Sequence, residues 1–316
     1  MHLQQQTNQP IQAISSLNKH TWNIWWNLIR PHTLTASFVP VAIGTVFALP
    51  SQQFRLELFI VMLLASTLIQ VSTNIFNEYY DYKCGLDDEN SVGIGGAIVR
   101  YGVSPKKILI IAQSTTATAI LLGLYLCHES SWWLLPIGLC CTAVGYLYSG
   151  GPFPISATPF GELVSGICMG FIIIVISFFL QTGTITTIAI MGSVSTSVLI
   201  GAILMSNNLR DLEDDKKHGR KTLAILLKRT KATYCLVGMF IFSYLWIVFL
   251  VTIDMLSPWS LMSFISMPRA IQASRHFQKN TTPAALASAM VATAQTNTLF
   301  GFALVLGLLF QYWSSL

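Results

Sequence analysis

Nine apolar stretches, most of them close to the roughly 20 residues needed to cross a bilayer, follow one another along this chain. They fall at about residues 33–50, 55–78, 106–127, 131–149, 161–181, 185–206, 232–253, 256–273 and 292–313. Lipid offers backbone amides no partner, so such a chain must satisfy them within helices. The expected fold is therefore all-α, a polytopic membrane helical bundle of about nine transmembrane helices. With 10% of residues charged and 53% hydrophobic, a chain of 316 residues has too little charge to cover a soluble globule. Residues 1–27 form a polar N-terminal segment without the apolar core of a removable signal, and Trp22, Trp25 and Trp26 in it suit an interface. Residues 28–316 are expected to form a single membrane-embedded domain. Pro258, Pro268 and Arg269 mark the eighth stretch as the one expected to kink or lie partly in the interface.

Basic residues set the expected orientation. With the N-terminus in the cytoplasm, inside segments hold 17 of the 18 Lys and Arg residues and leave Arg55 alone outside. The net charge of +5 is thereby explained by loops, and no nucleic-acid partner is expected. The six Cys lack metal-site spacing, and Gly93-Ile94-Gly95-Gly96 follows no predicted strand, which excludes a dinucleotide fold.

Nine of the 13 acidic residues lie in two clusters, Glu78 to Glu89 and Asp211 to Asp215, each directly after an apolar stretch. Carboxylates so crowded repel one another, and hard oxygen ligands beside amides select Mg²⁺ or Ca²⁺. A phosphate ester is the natural anionic cargo. Asn77 and Asp81 are four residues apart at the end of the second stretch, as are Asn207 and Asp211 at the end of the sixth, with Asp215 continuing that face. Four residues is about one helical turn, so each helix end can aim an amide and a carboxylate at one point. Two parallel halves around one cavity are expected. Asp88, Glu89, Glu213 and Asp214 suit a solvated loop instead, Asp87 reaches the site only from a turn, and Glu78 is either a ligand or a group that orients one.

Asn77-x-x-x-Asp81 with Asp87, and Asp211-x-x-x-Asp215, resemble the two aspartate-rich motifs of the UbiA superfamily of intramembrane prenyltransferases. Arg30-Pro31-His32-Thr33-Leu34-Thr35-Ala36 is similar to the opening of its MenA branch, which prenylates 1,4-dihydroxy-2-naphthoate. Asp81-Tyr82-Lys83 with Gly95-Gly96 and Arg100, Tyr146-x-Tyr148-Ser149-Gly150-Gly151-Pro152 with Gly161-Glu162, and Asn207-Asn208-Leu209-Arg210-Asp211 with Lys221-Thr222-Leu223-Ala224 resemble its further motifs.

The resemblance implies a UbiA-like bundle with Mg²⁺ as cofactor, held by Asn77, Asp81, Asp87, Asn208, Asp211 and Asp215. It implies catalytic roles for Asp81 and Asp211, and contacts from Lys83, Arg210 and Lys221 to the diphosphate. Tyr146 and Tyr148 would shield an allylic cation, and Arg30, Arg100 and Asn207 would bind substrate. Set against these roles are positive-inside charge for the Lys and Arg residues, and interfacial anchoring for the two Tyr. The implied partners are a polyprenyl diphosphate, 1,4-dihydroxy-2-naphthoate and the lipid bilayer. The implied reaction moves a polyprenyl chain, taken as octaprenyl, onto the acceptor with loss of CO₂. It gives a demethylmenaquinone at the cytoplasmic side of a bacterial inner membrane. The rivals are prenylation of 4-hydroxybenzoate, homogentisate or a chlorin, and a cation-coupled transporter, which would place ionisable groups nearer mid-membrane.

Overall fold

The computed structural model describes residues 23–51, 54–86 and 96–314, and the regular elements named among them are all helical. In chain order they are α1 (Thr35–Ala48), α2 (Leu56–Lys83), α3 (Pro105–Glu129), α4 (Leu134–Ser149), α5 (Gly161–Thr182), α6 (Thr187–Arg210), α7 (Leu212–Lys217), α8 (Leu223–Thr252), α9 (Met267–Lys279) and α10 (Pro283–Ser314). Among the described residues six helices, α2, α3, α5, α6, α8 and α10, are long and apolar enough to cross a bilayer; α1, continued to Ser51, and α4 are shorter apolar helices. The chain is a multi-pass membrane protein.

The eighth apolar stretch is not one α-helix. It divides into a 3₁₀ segment, Pro258–Ser266, and α9, each with a proline in its first turn, where a missing N–H leaves no bond unmade. A 3₁₀ helix repeats every three residues, and Ser260, Ser263 and Ser266 accordingly form one fully buried row. Their neighbour Trp259 lies so close to Gly307 of α10 that a Cβ there would sit 2.2 Å from the Trp259 carbonyl oxygen. α9 buries Ala270, Ala273 and Phe277, leaving Arg269, Arg275 and Lys279 exposed.

Polar contacts define two edges of the bundle. At one, Arg55 before α2 pairs with Glu129 at the end of α3 (3.1 Å), and its backbone N–H donates to Gln181 Oε1 near the end of α5 (2.7 Å). At the other, the Lys221 N–H donates to the Ala157 carbonyl (2.8 Å) and Arg220 pairs with Asp81 (2.8 Å). Both acidic motifs are on this second edge.

Packing is close where α5 meets α6. Gly170 brings a π-helical turn of α5 (Gly166–Phe171) against Ser197 of α6, where a Cβ would lie 2.5 Å from the Ser197 Cα. α4 packs on α2 and α3 instead, and buries only Leu134 and Ser149 of its own residues. It is a one-helix wall with a cavity behind it.

Candidate active site

That cavity holds about 820 Å³ between α2, α3, α4, α5 and α6. Its polar end carries Asn77, Asp81, Asn207, Asp211, Asp215 and Arg220. From Asp81 down to Met62, also on its wall, α2 runs about 28 Å, almost a bilayer's hydrocarbon thickness. Ile69, Gly123, Leu135 and Ile173 line the deeper part, so a charged mouth opens into an apolar channel.

The mouth is where two helices end. α2 stops after Lys83, with Gly85 in the left-handed region (φ 69°), and α6 stops at Arg210 with Asp211 as its C-cap. Helix C-termini carry partial negative charge, which adds to that of the motif carboxylates and makes the mouth a place for cations. Arginines meet that demand. Arg220 donates from Nη2 to Asp81 Oδ1 (2.8 Å) and from Nη1 to Asp215 Oδ1 (3.0 Å), joining the two motifs. Arg210 grips Asp211 with Nε and Nη2 (2.7 and 2.6 Å). Burial works against the Arg220 charge, but Asp81 and Asp215 outweigh it and hold the guanidinium pKa above its usual value. Burial pushes the Asp215 carboxyl up to about 6 against the opposing pull of Arg220, with Asp211 and Asp81 adding to the rise. Among the described residues no three His, Cys, Asp or Glu side chains form a ready-made ion cage, since arginines stand between the carboxylates.

The amides divide unequally. Asn208 Nδ2 donates to the buried Glu162 Oε1 (2.8 Å), whereas the buried Asn207 Oδ1 has no hydrogen-bond partner. Asn207 is the residue one turn before Asp211, as Asn77 is before Asp81, so the unpaired oxygen is on the motif's own face. Asn77 donates from Nδ2 to Ser149 Oγ (3.2 Å). Glu78, 1% exposed, takes both carboxylate oxygens to the Gly96 N–H (2.9 Å each) and one also to the Ile98 N–H (3.2 Å). It anchors the loop rather than facing the cavity. Glu78→Ala leaves two backbone donors unmet and is expected to cost roughly 3 kcal/mol, with Glu78→Gln milder. Thermal midpoints in detergent check this; equal midpoints for wild type and Glu78→Ala would refute it.

Several residues expected at the substrates stand away from the cavity. Lys83 is exposed, its Nζ 6.0 Å from the Tyr80 ring centroid, and Lys221 is exposed with its backbone tied to Ala157. Arg100 folds across Gly96, whose φ of 101° and lack of a Cβ make room for it. Tyr146, 40% exposed, shares a hydrogen bond with Tyr80 (2.7 Å) and packs edge-on to Phe76 and Tyr80, outside the wall. Tyr148, two residues on and thus on another face of α4, does line the cavity, as does Arg30. Arg30 takes a left-handed backbone (φ 55°), and its Nε is buried without a partner. Asp87, Asp88, Glu89 and Gly93 to Gly95 lie outside the described residues, as do residues 1–22.

Arg220 is the site residue that sequence reasoning missed. Its signal was Gly219, whose left-handed conformation (φ 76°) turns the chain back so that the Arg220 N–H reaches the Asp215 carbonyl (3.0 Å).

The chain is similar to known proteins in sequence and in fold. The model of the UbiA prenyltransferase family matches residues 37–301. A Bacillus subtilis (strain 168) protein named 1,4-dihydroxy-2-naphthoate octaprenyltransferase is 52% identical, over 97% of this chain and 99% of its own. The apo structure of a UbiA homolog from Aeropyrum pernix K1 superposes with a TM-score of 0.67 at 14% identity, covering 87% of this chain and 97% of that one. A UbiA homolog from Archaeoglobus fulgidus bound to DMAPP and Mg²⁺ does so at 0.58 and 16%, covering 89% and 99%. The two structures share the fold, and the family model with the Bacillus relative settles the lineage: this chain belongs to the UbiA prenyltransferase family.

Proposed function

We infer that this protein transfers an octaprenyl chain from its diphosphate to 1,4-dihydroxy-2-naphthoate with loss of CO₂, forming a demethylmenaquinone for menaquinone synthesis. The observation that carries the reading is a cavity with both acidic motifs at its mouth that follows α2 for about 28 Å, from Asp81 to an apolar deep end at Met62. The Bacillus relative's name supports the choice of both substrates. The basic-residue bias supports a mouth on the cytoplasmic side, and the membrane is read as a bacterial inner membrane.

The residues at the mouth fit Mg²⁺. Asp81, Asp211 and Asp215 offer carboxylates, Asn207 an unpaired buried oxygen, and Asn77 the oxygen end of an amide whose nitrogen is engaged with Ser149. In this account Asn207 takes the ligand position first expected of Asn208, which holds Glu162. Asp87 remains a proposed further ligand. Bound there, Mg²⁺ neutralises the charge that grows on the departing diphosphate. The ligand set needs Asp215 ionised, so Mg²⁺ affinity is expected to fall as pH drops below about 6, measurable by calorimetry across that pH. A flat profile would contradict that ligand role.

The chain's own groups do the rest. Arg210 and Arg220 stand at the mouth within the wall, placed to meet diphosphate oxygens. The allylic C–O bond breaks and its electron pair leaves with the diphosphate. The Tyr148 ring, on the cavity wall, shields the allylic cation, and the apolar channel below keeps out water that would capture it. The acceptor carbon that carries the carboxylate forms the new C–C bond, and loss of CO₂ returns an electron pair to the ring. No protein base is required for that step.

Arg30 is the cation proposed for the acceptor carboxylate. Arg30→Met is expected to raise the acceptor KM roughly 10- to 100-fold, the worth of a charge-assisted hydrogen-bonded pair, and to change the diphosphate KM little. Steady-state kinetics with each substrate varied separately provide the check, and an unchanged acceptor KM would move that role elsewhere.

The overall reading is tested by incubating purified protein and Mg²⁺ with octaprenyl diphosphate and an equimolar mixture of aromatic acids. The expected product is prenylated naphthalenediol lacking CO₂. Prenylated 4-hydroxybenzoate would overturn the choice of acceptor.

A further inference from the structure

We propose that Arg220 is the resident counter-ion of the mouth: its guanidinium holds Asp81 and Asp215 together while no divalent ion is bound, and leaves both carboxylates when ions enter. The inference rests on the reading of the mouth as a Mg²⁺ site. It concerns what occupies that site beforehand.

Three observations carry it. First, one guanidinium bridges carboxylates from the two motifs, at 2.8 and 3.0 Å, and all three side chains are at least four-fifths buried. Without a cation there, two enclosed carboxylates would face each other with no charge between them. Second, Arg220 takes an oxygen from each carboxylate that divalent ions would need. An ion bonded to those oxygens at about 2 Å would face the guanidinium at close range as a like charge in a poorly hydrated pocket. Third, the backbone beside Arg220 is pinned. Its own N–H is bonded to Asp215, the Lys221 N–H to Ala157, and the Thr222 hydroxyl caps α8 by accepting from the Ile225 N–H. Exchange therefore needs only a side-chain rotation, and the freed guanidinium stays at the rim where a diphosphate arrives with the ions.

Neighbouring Lys221 does not stand in for it: its side chain is exposed and not part of the cavity lining, and its backbone N–H is bonded to Ala157. A lysine at 220 would offer a point charge and could not fork between two carboxylates as guanidinium does.

The test uses full-length protein in detergent and Mg²⁺ alone, with no substrate. Arg220→Gln is expected to bind Mg²⁺ about tenfold more tightly than wild type, the scale on which one adjacent charge alters a carboxylate's affinity for a proton. Its thermal midpoint without ions should fall below wild type, and saturating Mg²⁺ should restore most of the difference. Equal or weaker Mg²⁺ binding by Arg220→Gln would overturn the proposal, since the arginine would then not compete with ions. Should Arg220→Gln fail to fold, Arg220→Lys decides by the same titration: tighter binding than wild type supports the exchange, and unchanged or weaker binding refutes it. Absence of Mg²⁺ binding in the wild type would instead remove the metal reading itself, and is told apart by having no wild-type isotherm to compare.

Discussion

Asp81→Asn and Asp211→Asn are each expected to lower kcat by on the order of 10³, the scale seen when one fixed electrostatic contact to a transition state is removed, while the thermal midpoint moves by only a few degrees. The asparagine keeps the shape of each side chain. At position 81 its amide oxygen can still accept from Arg220, which also keeps Asp215, and at position 211 Arg210 retains one acceptor of the two it now grips. What each substitution removes is a negative charge that the proposed ions would need in order to stabilise a departing diphosphate. Rates and melting curves on the same preparations separate the two effects. Near-normal turnover in either variant would mean that its motif does not serve the reaction.

Gly123→Phe is expected to separate long donors from short ones. Gly123 lines the deep part of the channel, and a Cβ built on it meets no atom within 4 Å, so the substituted ring enters open space without straining α3. It lies about 27 Å along α3 from Pro105. An octaprenyl tail reaching that depth must compete with the ring, at an expected cost in kcat/KM of roughly 10- to 100-fold, equivalent to the 1–3 kcal/mol typical of overpacking. Dimethylallyl diphosphate ends far above that level and should react as with wild type. Comparing kcat/KM for both donors decides the matter. Equal losses would place the tail elsewhere, and no loss for octaprenyl diphosphate would mean that the channel is not its path.

The parts of this structure that were legible in the sequence are those governed by a helix's period and by the bilayer. Apolar stretches long enough to span forecast α2, α3, α5, α6, α8 and α10, and the four-residue spacing of Asn77 with Asp81 and Asn207 with Asp211 forecast two helix ends meeting in one cavity. What escaped was set by turns and by side-chain partners. Arg220 and Lys221 are adjacent cations, and only the left-handed turn at Gly219 decides which of them faces the carboxylates. Asn207 and Asn208 are likewise adjacent, and the buried Glu162, distant in sequence, engages the second and leaves the first unpaired. Glu78 looks like part of an acidic motif, yet its place depends on the Gly96 and Ile98 backbone folding over it. The buried 3₁₀ row of Ser260, Ser263 and Ser266 lies beside α10, where Trp259 closely approaches Gly307, and hydropathy does not register that packing.

One diphosphate is expected to be held by ions bound to both motifs at once. Mn²⁺ in place of Mg²⁺, together with an unreactive thiolo analogue of a prenyl diphosphate, lets phosphorus hyperfine coupling to the ion be measured directly by electron–nuclear double resonance. A clear coupling is expected in the wild type, lost or strongly reduced in Asp81→Asn and in Asp211→Asn alike. Undiminished coupling in either variant would contradict it, because the diphosphate would then be held from one side of the cavity alone.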